Sequence, residues 1–267
     1  QISKKNVAIT SGCNQAFCAV ITALTNENDE VIIPTPWYFN HHMWLQMAGV
    51  RTVPLETDGN MSPIVEKARA LITKKTRAIV LVSPNNPSGC VYSNDILQKF
   101  FDLCRSNNLR LILDETYKDF HPRASKPHDL FENNDWDSTL TVLYSFSKTY
   151  RMTGHRVGAL LTSNQNLLEV EKVLDTFTVC PAQLGQYAAN WGLNNLNAWI
   201  TERRNEILDR ARHFKEKFHP LTELGWSLKG CGAYFAFLEH PFFEGSNILA
   251  PLIFRDEGIL LMPGTMF

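Results

Sequence analysis

The chain has 267 residues and a formal net charge of −1, from 26 Lys and Arg against 27 Asp and Glu. Its length excludes a peptide hormone or disulfide-stapled mini-domain, and 44% apolar with 20% charged residues excludes general disorder. So even a balance of charge argues against a protein held to nucleic acid or to a membrane surface by bulk electrostatics.

In chain order, short apolar runs rich in branched side chains predict strands over Val7–Thr10, Glu30–Ile33, Thr52–Leu55, Ala78–Val82, Arg110–Leu113, Thr141–Tyr144 and Val157–Thr162. Helical periodicity fills most of the gaps between them. Ser93 is placed to cap a helix with Ile96, Leu97, Phe100, Phe101, Leu103 and Cys104 on one face. Strands alternating with helices imply a mainly parallel sheet with helices on both faces. Beyond Leu184 the pattern changes. A helical stretch to Gly192 is followed by a longer one over Asn197–Phe218, with Trp199, Ile200, Ile207, Leu208, Ala211, Phe214 and Phe218 set against a charged face. Two short strands, Trp226–Leu228 and Ala233–Leu238, and a helix near Ile248–Arg255 complete a smaller α+β unit. The division expected is 1–200 for the large domain and 201–267 for a partial small one.

Val31–Val50 and Thr176–Thr201 contain no Asp, Glu, Lys or Arg and are long enough to cross a bilayer. Their Pro, Asn, Gln and His content makes insertion costly, so both are expected to be buried or half-buried soluble segments. The start, Gln1 to Lys5, has no apolar stretch of the kind a signal peptide needs. The six cysteines, Cys13, Cys18, Cys90, Cys104, Cys180 and Cys231, form no CxxC pair, so free thiols in a reducing cytoplasm are expected. No His, Asp or Glu set has metal-ligand spacing, and no metal site is expected.

In open α/β sheets, ligands bind at the carboxyl ends of the strands. The residues just past the predicted strands are polar and specific. Ser11-Gly12-Cys13-Asn14-Gln15-Ala16 comes after the first, and Ser83-Pro84-Asn85-Asn86-Pro87-Ser88-Gly89 after the fourth. Asp114-Glu115-Thr116-Tyr117 comes after the fifth, and Ser145-Phe146-Ser147-Lys148 after the sixth, with Arg156 beyond. Each alone is ordinary: Ser-Gly caps helices, Asn-Pro-Ser-Gly makes turns, and a lone Lys is usually solvated. Their order along the chain and joint placement at strand ends are not ordinary.

Together with Pro36-Trp37-Tyr38 and Val157-Gly158, these stretches resemble the class I/II aminotransferases, the fold type I pyridoxal-phosphate enzymes of the aspartate aminotransferase superfamily. The resemblance covers nearly the whole chain. It implies the fold type I large domain and an enzyme that moves an amino group between an amino acid and a 2-oxo acid. It implies pyridoxal 5′-phosphate held as a Schiff base on Lys148, whose amine, depressed in pKa by desolvation and nearby cations, also shuttles the substrate α-proton. Asp114 is implied to pair with the pyridine nitrogen, and Asn86 and Tyr117 to bond the phenolate oxygen. Tyr38 is implied to stack on one ring face, with Thr116 under the other. The phosphate is implied to sit on the amides of Gly12, Cys13 and Asn14 at a helix N-terminus, caged by Ser145, Ser147 and Arg156. A homodimer is implied by the resemblance alone.

The chain departs from the family pattern at Arg151, where a small residue is common, and at His155, where an aromatic is common. Cys13 replaces a small residue, and only its backbone is implied to matter. His41 and His42 come just after the stacking segment and are placed either to border the substrate or, the reading preferred, on the polar face of a helix. Trp37, Phe39 and Trp44 hint at an apolar or aromatic substrate but are read first as core. A segment preceding Ser11 and a carboxylate-gripping arginine beyond Pro263-Gly264-Thr265-Met266-Phe267 belong to the family pattern and are not in this sequence. The chain is therefore expected to be truncated at both ends, and to bind cofactor yet turn over poorly. Two rival readings use the same pocket: a β-elimination carbon–sulfur lyase, and a non-catalytic aminotransferase-like sensing domain. A nucleotide-binding Rossmann domain is disfavoured, because no Gly-x-Gly-x-x-Gly comes after a strand.

Overall fold

The computed structural model describes residues 2–123 and 126–267; Gln1, Ala124 and Ser125 lie outside the described residues. The elements run β1 Val7–Thr10, α1 Cys13–Leu24, β2 Glu30–Thr35, α2 Phe39–Met47, β3 Arg51–Glu56, α3 Val65–Leu71, β4 Thr76–Val82, α4 Asn94–Ser106 and β5 Arg110–Asp114. They continue α5 Trp136–Thr139, β6 Leu140–Ser145, α6 Phe146–Thr149, β7 Gly158–Leu161, α7 Asn164–Phe177, α8 Gln183–Asn195, α9 Asn197–Thr222, β8 Ser227–Gly232, β9 Phe235–Glu239 and α10 Ser246–Glu257. Every strand expected from the sequence is present, displaced by one to four residues at some ends.

Seven strands form one sheet in the order β1-β7-β6-β5-β4-β2-β3. The pairs from β6 through β3 are parallel, whereas β7 is antiparallel to both β6 and β1. Between β6 and β7 lie only the single turn α6 and a short 3-10 turn, Thr153–His155, with no helix long enough to carry the chain back along the sheet. Because β1 opposes β7, it runs in the same direction as β6. The carboxyl ends of β1, β4, β5 and β6 therefore share one edge.

The central strands are continuous apolar runs because both of their faces are covered. Along β4, Ile79 and Leu81 join Phe100, Phe101 and Trp136 on one side, while Ala78 and Val80 join Phe17, Ile21 and Leu45 on the other. Ser93 caps α4 by accepting from the Ile96 amide at 3.3 Å, and Leu97, Phe100, Phe101, Leu103 and Cys104 are buried as the periodicity requires.

The second half differs from the sequence reading in two respects. Thr176–Thr201 is largely exposed rather than buried: Leu184, Tyr187, Trp191 and Leu193 all face outward. In α9 only Phe218 is buried, although Ile207 packs beside Tyr117 and Phe120. The apolar stripe of α9 thus meets a smaller partner than its pattern requires. The antiparallel β8–β9 pair reaches the sheet through backbone: Gly89, at φ +70°, lies so close to Gly232 that a side chain on either would collide. Among the described residues, no helix is long and apolar enough to cross a membrane.

Candidate active site

The shared strand edge opens into a cavity of about 450 Å³. Cys13 and Asn14 reach it from the start of α1, Val82 and Asn86 from the end of β4, and Asp114, Thr116 and Tyr117 from the end of β5. Ser145, Ser147 and Lys148 reach it from the end of β6 and from α6, and Thr153 and Arg156 from the return toward β7. Tyr38 and Phe39 close one side, and Phe235, Met262 and Phe267 supply an apolar wall from the C-terminal part of the chain.

One end of the cavity is built for an anion. Gly12 precedes α1 at φ +88°, where a Cβ would collide with the Arg156 guanidinium. Backbone and guanidinium can approach only because the position is glycine. Arg156 donates from Nη1 to Ser147 Oγ at 3.2 Å and to the Thr153 carbonyl at 2.9 Å. Ser145 Oγ accepts from the Ser147 amide at 3.2 Å and caps α6. The α1 N-terminus, two hydroxyls and a permanent cation thus converge.

The other end carries a buried carboxylate. Asp114 is 3% exposed, its Oδ2 stands 3.3 Å from His41 Nε2, and its Oδ1 accepts from the Thr116 amide at 2.9 Å. Burial pushes this carboxyl up, but His41 and Thr116 outweigh it and hold Asp114 below the ordinary 3.8. His41 is itself 2% exposed, stacked on Phe17 at 4.0 Å and edge-on to Tyr38 at 5.1 Å. The reading of His41 as a solvated helix face is therefore corrected: α2 turns it inward, because its partner comes from a distant strand. His42 lies elsewhere, stacked on Trp37 at 4.5 Å with Nδ1 at 3.0 Å from Thr52 Oγ1.

The Cys13 side chain also faces this carboxylate and Thr116, and burial, then Asp114, pushes its thiol well above the usual range. It stays protonated beside the anion, so more than its backbone is engaged. Tyr38 Oη accepts from Asn40 Nδ2 at 2.7 Å. Burial, then Asp114, pushes the Tyr117 phenol up, keeping it a donor. Tyr117 packs edge-on to Phe235 at 5.0 Å.

Of the residues expected from the sequence, Cys13, Asn14, Tyr38, Asn86, Asp114, Thr116, Tyr117, Ser145, Ser147, Lys148 and Arg156 line this one cavity, and Gly12 borders it through Arg156. Trp37 and Trp44 pack into the core, whereas Phe39 lines the cavity. Arg151 and His155 are exposed; Arg151 stands 5.5 Å over the Trp199 ring. Sequence reasoning gives no site role to Val82, Thr153, Phe235, Met262 or Phe267; for His41 and Phe39 the signal is their place just after Tyr38, which the reading of both as helix face or core set aside.

The class I and II aminotransferase family matches residues 1–267, the whole chain. The chain belongs to that family. It is 28% identical to the aspartate aminotransferase of Thermotoga maritima, over 100% of this chain and 69% of that protein. It is 30% identical to the aromatic aminotransferase ISS1 of Arabidopsis thaliana, over 83% of this chain and 57% of that protein. The crystal structure of the aromatic aminotransferase from Pyrococcus horikoshii superposes with a TM-score of 0.89 at 26% identity, covering 98% of this chain and 70% of that one. An aspartate aminotransferase structure from Thermus thermophilus gives 0.89 at 25% identity, covering 99% and 73%. The matches span 57% to 73% of the length of these relatives.

Membership makes this an aminotransferase-type enzyme with pyridoxal phosphate as its cofactor, acting on an amino acid and a 2-oxo acid. The cavity of this aminotransferase fits that cofactor on its own chemistry. The glycine-opened helix start with Arg156, Ser145 and Ser147 suits a phosphate dianion. The buried carboxylate, held ionised, suits a protonated ring nitrogen.

Proposed function

We propose that Lys148, Asp114 and Tyr117 are the catalytic residues of a transamination carried out in this cavity. The observation that carries the reading is the lining of one cavity by an amine, a buried ionised carboxylate and an anion cradle. Bound there, pyridoxal phosphate supplies an aldehyde carbon for amine exchange and a protonated ring that takes up electron density from the substrate α-carbon.

The chain's own groups then have separate tasks. Gly12, Cys13 and Asn14 offer amides, and Ser145, Ser147 and Arg156 offer side-chain donors, to the phosphate. Asp114 keeps the ring nitrogen protonated, with His41 keeping Asp114 charged. Asn86 and Tyr117 would hold the ring hydroxyl oxygen, and Tyr38 and Thr116 would flank the ring. The Lys148 amine would take up the proton lost from the substrate α-carbon and hold it for return. Phe39, Phe235, Met262 and Phe267 receive an apolar or aromatic side chain, a reading supported by their shared wall and by relatives named as aromatic aminotransferases.

Residues 1–200 hold the seven-stranded sheet, and residues 201–267 the β8–β9 pair, so we take these as the large and small domains, joined by α9. A homodimer is supported by the exposed apolar face of α8, where Ile9, Val157, Tyr187 and Leu193 border a cavity of about 810 Å³. Cytoplasmic location is supported by six free cysteines, one of them exposed.

The test is a single half-reaction. The cofactor-loaded chain is mixed with an amino acid, and the aminated cofactor and the 2-oxo acid are counted. Equal, stoichiometric amounts are expected from the wild type, with the rate at least about 10²-fold lower in Lys148→Ala. Equal rates in the two would remove Lys148 from the mechanism. Ammonia release in place of aminated cofactor would make the reaction an elimination.

A further inference from the structure

The turn that carries Lys148, α6, is four residues long. One helical turn has little stability of its own. Ser145 caps its start, the amides of Tyr150 and Arg151 bond the Lys148 carbonyl at its far end, and a side chain ties that end to the neighbouring element. Thr149, 2% exposed, donates from Oγ1 to Asp119 Oδ2 at 2.8 Å. The same oxygen accepts from Tyr144 Oη, in β6, at 2.6 Å. A carboxylate oxygen taking two hydroxyl donors at these distances makes short, charge-assisted bonds. Burial, then Asp119, pushes the Tyr144 phenol well above its usual range, so it remains a donor.

Asp119 belongs to the 3-10 turn Lys118–Phe120, which continues directly from Asp114 and Tyr117. Backbone bonds tie that turn back to the strand end: Lys118 N to Glu115 O at 3.1 Å, and Phe120 N to Tyr117 O at 3.0 Å. Beneath it lies a charged row. Lys118 Nζ stands 4.7 Å over the Tyr144 ring and 3.8 Å from Glu115 Oε2, and buried His128 Nε2 lies 3.1 Å from Glu115 Oε1. None of these groups lines the cavity.

We propose that Asp119 is a positioning residue for Lys148: its carboxylate clamps the turn bearing the amine to the strand end bearing Asp114 and Tyr117. The proposal rests on the reading of Lys148 as the reacting amine. The clamp fixes the separation of an amine and a carboxylate that arrive from different strands and share no direct contact. A small displacement of a reacting group lowers rate far more than it lowers ligand affinity, and that difference separates positioning from mere support of the fold.

The full chain is mixed with pyridoxal 5′-phosphate, and two quantities are read. One is the cofactor dissociation constant. The other is the rate at which the Lys148 amine condenses with the aldehyde, losing one water. The C=N bond so formed is reduced by borohydride to a secondary amine and counted in the Lys148 peptide by mass spectrometry. Thr149→Val preserves volume and removes the hydroxyl; it is expected to slow condensation about tenfold with the dissociation constant unchanged. Thr149→Ser is expected to restore the wild-type rate. Asp119→Ala is expected to be as slow as Thr149→Val, and the double variant no slower than either. A wild-type rate in Thr149→Val, no rescue by Thr149→Ser, or multiplied losses in the double variant would overturn the proposal. If Asp119→Ala fails to fold, the Thr149 pair decides alone. If the wild type forms no adduct at Lys148, the parent reading falls and takes this one with it.

Discussion

The two parts of the molecule are organised differently. In the sheet, central strands such as β4 and β5 are buried along nearly their whole length, and apolar layers cover both faces. From Asn197 onward only Phe218, Ala233 and Ala250 are buried. The proposed site lies on the rim of the first part, where Asp114, Tyr117, Ser145 and Ser147 are buried. The second part contributes to the cavity only the apolar wall of Phe235, Met262 and Phe267. The proposed site thus joins an edge that carries charges to an apolar wall.

The contrast is open to direct attack. Phe100 has no exposed surface and lies at the centre of one apolar layer; Phe100→Ala is expected to lower stability to urea by about 4 kcal/mol. A loss below about 1 kcal/mol would mean that the sheet is no better packed than the C-terminal part.

His41→Ala sharpens the electrostatic side of the same contrast. Removing one partner of a buried pair is expected to cost about 3 kcal/mol at neutral pH. Asp114 is held below its ordinary value in the folded chain, so its contribution is complete above that value and is lost as pH falls through the lower folded one. Without His41, only Thr116 is left to oppose burial, and the Asp114 carboxyl rises from its wild-type position. The deficit of the variant against wild type is therefore largest at neutral pH and shrinks on acidification. Parallel stability curves for the two proteins between neutral pH and pH 3 would sink the assignment. The smallest effect is expected at Phe214, 40% exposed on α9, where substitution by Ala should change stability by less than about 1 kcal/mol.

Much of the sheet is legible in the sequence because its strands are short, apolar and bounded by turn residues, and because the polar motifs come after them without a gap. The roles of Lys148, Asp114 and Arg156 are legible only as an ordered set, since each residue alone is commonplace. Tertiary pairing is what escapes. His41 meets Asp114 from an element whose only cue is its place three residues after Tyr38, because α2 has no pronounced apolar face. The Cys13 thiol looks incidental because a helix start exposes its amides, and nothing local says where the side chain points. The stripe on α9 has the pattern of core, yet a helical period reports which residues share a face, not whether a partner covers them. The uncharged stretch over α8 misleads for the same reason: lack of charge marks a surface suited to contact, not one already buried.

Lys148 is the residue on which the proposed function depends most. Wild-type chain saturated with pyridoxal 5′-phosphate is reduced with borohydride, digested and mapped by mass spectrometry over all its lysines. One cofactor per chain, fixed on the peptide containing Lys148 and lost in Lys148→Ala, is the predicted result. Label scattered over other lysines, or an equal yield from Lys148→Ala, would contradict it.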